Sequence, residues 1–157
     1  MRNIVPFLWF ADNNTEEAIH YYCSVFPDSG IQSITLYPDE KLDEHFTGMA
    51  GKVLTAEFKL NGQRFMALDS GPIFRFSEAI SLLVECEDQK EMDYYWERLS
   101  HNPENEQCGW CKDRFGLSWQ IIPKDMGKLL ESEATVQSMM QMKKIDISEL
   151  EKAGQAG

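Results

Sequence analysis

Cys108-Gly109-Trp110-Cys111 is the most chemically suggestive short stretch of the chain. Two thiols three residues apart can cycle between dithiol and disulfide, or supply half of a zinc site. A redox pair of the thioredoxin kind opens a helix, whose N-terminus favours the thiolate. Here the surrounding residues, about 107–112, read as a strand, and an extended strand points the two side chains to opposite faces. No second such pair occurs, and Cys23 and Cys86 stand alone. All four cysteines are therefore read as reduced thiols. A redox or zinc module centred on Cys108 and Cys111 stays open as a third reading.

Other groups capable of chemistry are scattered. His20 falls on a helix, His45 in a polar loop and His101 after a second helix; each is read as a surface histidine. Glu57 shares the polar face of a strand with Thr55 and Lys59. A carboxylate facing a pocket there could act as a general base, and one facing water would simply be solvated; the sequence leaves both open. Asp69 closes the next strand. Trp9, Phe74, Phe76, Trp96, Trp110 and Trp119 supply aromatic surface, suited either to a flat, apolar ligand or to core packing. Trp96 is read as core.

These residues are carried by 157 positions, 43% hydrophobic and 26% charged, with a formal net charge of -11. That length suits one domain or two small modules sharing a core. A nucleic-acid groove needs a basic surface to displace counterions from phosphates, so nucleic acid is excluded as a partner, and an anionic membrane surface is disfavoured on the same ground. The opening run, Met1 to Phe10, is apolar but too short for a secretory leader or a membrane span. The expected location is the cytoplasm, where thiols stay reduced.

The elements that must position the site follow from periodicity. Residues 4–10 read as a buried strand, apolar on both faces. Asn14, with Glu17 three residues on, has the look of a capping box opening a helix to about Phe26. Strands are expected at 31–37, 52–60 and 63–69. The last two are joined by Asn61-Gly62, a strong hairpin signal. The order is βαβββ. After a connector, 70–76, a second module starts near Ala79 with strand 79–86. Asp88 and Glu91 then cap a helix whose stripe is Met92, Tyr95, Trp96 and Leu99. Strands at about 107–112 and 117–122 flank an Asp113-Arg114-Phe115-Gly116 turn, so this module is one strand short or has one very brief strand. From Pro123 the pattern is helical, in two short helices and a third capped by Asp146 and Glu149, with 153–157 frayed.

Several stretches, in one order, resemble a known family: Pro6-Phe7-Leu8-Trp9-Phe10, Glu16-Glu17-Ala18 with Tyr22 and Phe26-Pro27, Gly51 to Phe58 with Leu60-Asn61-Gly62-Gln63, Ala67-Leu68-Asp69, Gly71-Pro72, Cys108-Gly109-Trp110, and Asp113 with Gly116-Leu117-Ser118-Trp119-Gln120-Ile121. Over about residues 4–123 the chain resembles the PhnB-like family, labelled 3-demethylubiquinone-9 3-methyltransferase, of the glyoxalase/bleomycin-resistance/dioxygenase (vicinal-oxygen-chelate) superfamily. The resemblance implies an α+β fold of paired βαβββ modules around a cavity, here 4–69 and 79–122 within a domain 1–123, with 124–157 as a helical C-terminal tail. It also implies a homodimer.

Metal enzymes of the superfamily hold their ion with His and Glu from the first and last strands of each module. Residues 4–10 carry no His, Asp or Glu; the last strand of the first module has only Asp69, at its end. Strand 79–86 has Glu85, and strand 117–122 offers Gln120, about where the resemblance places the final Glu ligand. An amide is a poor substitute for that carboxylate. No metal and no cofactor is expected. Methyl transfer is disfavoured too, since no glycine-rich turn follows the first strand and the strand order is not that of a parallel sheet. The leading reading is a metal-free protein that binds a small molecule, with Trp9, Glu57, Asp69, Phe74, Phe76, Trp110, Trp119 and Gln120 as candidate pocket residues. The alternative is a small-molecule enzyme of the same superfamily, of lyase, isomerase or dioxygenase type, with unusual ligands.

Overall fold

The computed structural model describes residues 2–39, 44 and 47–156. His45 and part of the polar loop around it lie outside the described residues. The chain forms two compact units, residues 1–76 and 77–157.

The first unit runs β1 (Phe7–Phe10), α1 (Thr15–Val25), β2 (Gly30–Leu36), β3 (Val53–Leu60) and β4 (Gln63–Asp69). Its sheet has the order β1-β4-β3-β2, with β1 parallel to β4 and the other pairs antiparallel. Alternation along the strands buries Leu8 and Phe10, Ala56, Phe58 and Leu60, and Phe65 and Ala67, together with Ala18, Ile19, Tyr22 and Val25 of α1. At the hairpin, Asn61 and Gly62 both take positive φ, 49° and 79°. That pair of values closes a two-residue loop between antiparallel strands whose twist it matches. β1 departs from the sequence reading. Regular strand is confined to Phe7–Phe10, and Phe7 is 52% exposed. Phe7 alternates with Leu8 and Phe10, which turn toward α1, so it lies on the sheet face that α1 leaves uncovered.

The second unit runs β5 (Ser81–Cys86), α2 (Gln89–Leu99), β6 (Trp110–Lys112) and β7 (Ser118–Pro123), in the order β5-β7-β6 with β5 parallel to β7. It repeats the first unit with one strand fewer, as the spacing predicts. Asp88 caps α2 by accepting from the Glu91 amide at 2.8 Å. The strand expected over 107–112 is broken by a turn. Gln107 and Trp110 exchange both backbone hydrogen bonds, at 3.0 and 2.8 Å, around Cys108 (φ 50°) and Gly109 (φ 86°). The two amides inside that turn find acceptors in the tail, Cys108 N on Met142 O and Gly109 N on Lys143 O, both at 2.8 Å.

The tail holds α3 (Met126–Leu129), α4 (Glu133–Met140) and α5 (Ile147–Ala156). The Gln89 amide clips it to α2, donating to Ile145 O at 3.0 Å and accepting from Ile147 N at 2.9 Å. Ile145 and Leu150 are fully buried. Where the sequence suggests fraying from 153, helix continues to Ala156, because α5 lies against α4: a Cβ on Gly154 would stand 3.4 Å from Thr135 Cγ2. Among the described residues no helix is long and apolar enough to cross a membrane.

Candidate functional site

In the first unit, alternation turns Phe7 and Trp9, Met66 and Leu68, Glu57 and Ser33 to the sheet face opposite α1. Phe7, Met66, Glu57 and Ser33 lie in one cross-strand row, and Trp9 pairs with Leu68 in the next. The Trp9 indole N–H donates to Gly71 O at 2.9 Å, and the Phe74 ring meets Trp9 edge-on at 4.9 Å. Phe74 is 61% exposed. Glu57 accepts from Arg64 Nε at 2.6 Å. This bond, with the guanidinium charge behind it, holds the Glu57 carboxyl below the usual range, so Glu57 is a weak proton acceptor near neutral pH. Phe76 sits elsewhere, edge-on to buried Phe10 at 5.2 Å.

Asp69 faces the helix side and is buried. Its Oδ1 accepts from Thr15 N and its Oδ2 from Val53 N, each at 2.9 Å, while its backbone carbonyl accepts from the Tyr37 hydroxyl at 2.8 Å. The capping box read at Asn14 is absent. Asn14 makes no side-chain cap bond, and Asp69 reaches the start of α1 instead. No local signal in the sequence could have named a cap this far along the chain.

In the second unit two cross-strand rows matter. Ser81, Ser118 and Lys112 form one, and Leu83, Gln120 and Trp110 the next, all on the face opposite α2. Gln120 Nε2 donates to Ser81 Oγ at 2.9 Å. Lys112 pairs with Glu78. Ser118 is 1% exposed, and its hydroxyl has no hydrogen-bond partner. Trp110, Lys112 and Ser118, with Glu78, Gln107 and Cys108, wall a hollow of about 390 Å³. A slightly larger hollow, about 440 Å³, is walled by Glu87, Asp88, Asp125 and Asp146 among others and has no aromatic side chain. Trp119 points the other way from its neighbours on β7. It is buried and donates through Nε1 to Asp113 Oδ2 at 2.8 Å, while Asp113 Oδ1 accepts from Phe115 N and Leu117 N.

Of the residues singled out from the sequence, then, Trp110 and Gln120 are cross-strand neighbours, and Trp9 and Phe74 touch. Asp69, Phe76 and Trp119 belong to the helix-side packing of their own units. Ser118, Lys112 and Glu78 were not among the pocket candidates, although counting by twos along β6 and β7 from Trp110 and Gln120 reaches Lys112 and Ser118.

The two buried thiols are not ready nucleophiles. Burial pushes Cys111 up to about 12, with Asp113 and Glu106 adding to it, and burial likewise pushes Cys86 up to about 12. All four cysteines are unpaired.

The donor set does not fit a divalent ion. On the strands that carry the ligands in the superfamily's metal enzymes, the positions opposite the helix are Phe7, Trp9, Met66 and Leu68 in the first unit, with no carboxylate, and Leu83, Glu85, Gln120 and Ile122 in the second, with Glu85 alone. Among the described residues no three His, Cys, Asp or Glu side chains converge. A methyl donor fits no better. The turn from β1 to α1 carries no glycine, its first helical amide is already held by Asp69, and three of the four strands of that sheet pair antiparallel.

Residues 2–122 match the family described as 3-demethylubiquinone-9 3-methyltransferase. The chain belongs to this family. It is thus a PhnB-like domain of the glyoxalase, or vicinal-oxygen-chelate, superfamily, with the α+β fold expected of one. A PhnB protein from Bacillus cereus is 36% identical to it, covering 78% of this chain and 98% of that one, with a TM-score of 0.62. A protein from Staphylococcus aureus is 32% identical over 78% of this chain and 95% of its own, with a TM-score of 0.35. A protein from Pseudomonas aeruginosa shares the fold at 18% identity and a TM-score of 0.56, over 78% and 97% of the two chains. A comparison with curated proteins gave no match.

Proposed function

We propose that this PhnB-like protein is a metal-free small-molecule-binding protein whose ligand enters the hollow against Trp110. The observation that carries the reading is the Ser118 hydroxyl, buried in the wall of that hollow with no hydrogen-bond partner. An unpartnered buried polar group costs about 1–3 kcal/mol, and a ligand that pairs with it recovers that cost. The volume suits a small ligand, and ligand sites combine an apolar or aromatic wall with a few placed polar groups. Trp110 supplies the wall, with Ser118 and Lys112 as the polar groups and Gln120 beside them. The absence of a fitting donor set on the strands supports the metal-free part of the reading. Trp9 and Phe74 are proposed as a further aromatic contact surface on the first unit.

The test is a panel of small aromatic compounds screened by thermal shift and tryptophan fluorescence. Saturable binding that is lost in Trp110→Ala, with circular dichroism unchanged, supports the proposal. A panel without a single saturable ligand, or binding indifferent to Trp110→Ala, overturns it. The enzyme alternative gains no support from Glu57, Cys86 or Cys111, none of which is a ready base or nucleophile near neutral pH. We also propose a homodimer in the cytoplasm. Exposed Ile4, Phe7, Ile73, Phe74 and Ile80 give a partner copy apolar surface to cover, and four unpaired thiols suit a reducing compartment. Sedimentation at the mass of a single chain across micromolar concentrations would exclude the dimer.

A further inference from the structure

We infer that the hollow of the second unit receives a carboxylate carried on a flat aromatic ring, and that Glu78 is the anion this ligand displaces. The inference rests on the binding reading above and names the ligand class for the same site.

Two hydrogen-bond donors meet at one place. Lys112 and Ser118 are direct partners across the β6–β7 ladder, which sets their Cβ atoms about 5 Å apart on one face. Among the residues walling the hollow, Lys112 is the one cation. An ammonium can only donate, and the Ser118 hydroxyl has a proton to give and nothing to receive it. A carboxylate, with two acceptor oxygens, answers both at once.

The present partner of Lys112 is a placeholder by position. Glu78 precedes β5 and its side chain is 62% exposed. Lys112 is 23% exposed, so the pair is open to water mainly on its Glu78 side, where an ion pair contributes little. The pair nonetheless shows that a carboxylate can reach Lys112 beside the hollow. The ring has a seat as well: Trp110 occupies the adjacent cross-strand position on the same face, opposite Gln120. Two residues along a strand is about 6.6 Å, the reach of an aryl acid with its carboxylate at Lys112 and its ring beside the indole. A chain of net charge -11 repels anions at long range, so selection for one must come from local donors such as these.

The probes are 2-naphthoate and its neutral isostere 2-naphthamide, titrated against the full chain by tryptophan fluorescence and calorimetry. Naphthoate is expected to bind at least tenfold tighter than the amide. Glu78→Gln should tighten naphthoate about three- to tenfold while leaving the amide unchanged, because it removes the competing carboxylate. Lys112→Gln should erase the preference for the acid, and Ser118→Ala should weaken naphthoate several-fold. Glu78 is exposed, so its substitution keeps the test alive should either strand variant unfold. Equal affinity for acid and amide overturns the carboxylate inference and leaves the binding reading standing, as does naphthoate affinity unchanged or weakened by Glu78→Gln. If neither compound binds the native chain, the carboxylate inference falls, and the wider panel decides the binding reading.

Discussion

Asp69 and Thr15 stand 54 residues apart in sequence and 2.9 Å apart in space, the carboxylate of one accepting the first helical amide of the other. The second oxygen of Asp69 takes the Val53 amide, so one side chain ties the start of α1 to the start of β3. Asp69→Ala leaves two buried amides without acceptors, and about 2–4 kcal/mol of stability should be lost. Asp69→Asn should cost nearly as much, since its amide nitrogen would confront one of the two N–H groups. Urea unfolding measures both; a loss under about 1 kcal/mol would show that water replaces the carboxylate.

Asp113 gathers two amides of its own turn and the Trp119 indole N–H, and this separates two tryptophans. Trp119→Phe deprives a buried carboxylate of its Nε1–H donor and should destabilise by about 1–3 kcal/mol, with ligand affinity unchanged because Trp119 faces away from the hollow. Trp110→Phe should do the reverse, altering affinity and little else. Paired melting and titration curves on the two variants check the assignment.

Two glycines with nearly the same backbone conformation should respond differently to a methyl group. Gly116 has φ 87° and open space around its missing Cβ. Gly109 has φ 86°, but a Cβ there would lie 3.1 Å from both Ile121 O and Ile145 Cγ1. Gly116→Ala should cost about 1 kcal/mol, from the left-handed conformation alone. Gly109→Ala adds a clash with backbone and should cost about 2–4 kcal/mol. Equal losses would argue that the tail yields at Ile145.

The buried thiols set an alkaline limit. Cys111 is raised from an ordinary 9.0 to about 12 in the folded chain. A raised pKa favours the protonated form, so its contribution to stability is whole below about pH 9 and is lost as pH climbs toward 12. At about pH 10.5 the unfolded thiol is ionised and the folded one is not, favouring unfolding by about 2 kcal/mol. Cys111→Ala should flatten the fall in melting temperature between about pH 8.5 and 10.5, whatever it costs at neutral pH. In the native protein at neutral pH a maleimide should label the partly exposed Cys108 well before Cys86 or Cys111.

Much of the fold could be read from the chain because its signals were local. Alternation along Ala56 to Leu60, the Asn61-Gly62 loop and the Asp88–Glu91 cap each concern neighbours in sequence; at Leu54 the alternation fails, since Leu54 is exposed and Val53 buried. What escaped was set by distant partners. Asn14 looked like a cap until the fold brought Asp69 to the same amide. Residues 107–112 looked like one strand because nothing local shows that the amides of Cys108 and Gly109 are taken by Met142 and Lys143. The site divides in the same way: Trp110 and Gln120 could be named for their chemistry, whereas Ser118 drew attention only once its burial and solitude were visible.

The turn at Cys108-Gly109 has one more implication. Family likeness ends at residue 122, yet the acceptors for that turn, and the Ile145 side chain packed against it, come from beyond that point. A fragment trimmed to the recognisable homology would strand two amide protons and uncover the hydrophobic seat of Ile145, beside the very stretch that carries Trp110. Where ancestry stops being detectable is, in this protein, well short of where cooperative folding stops.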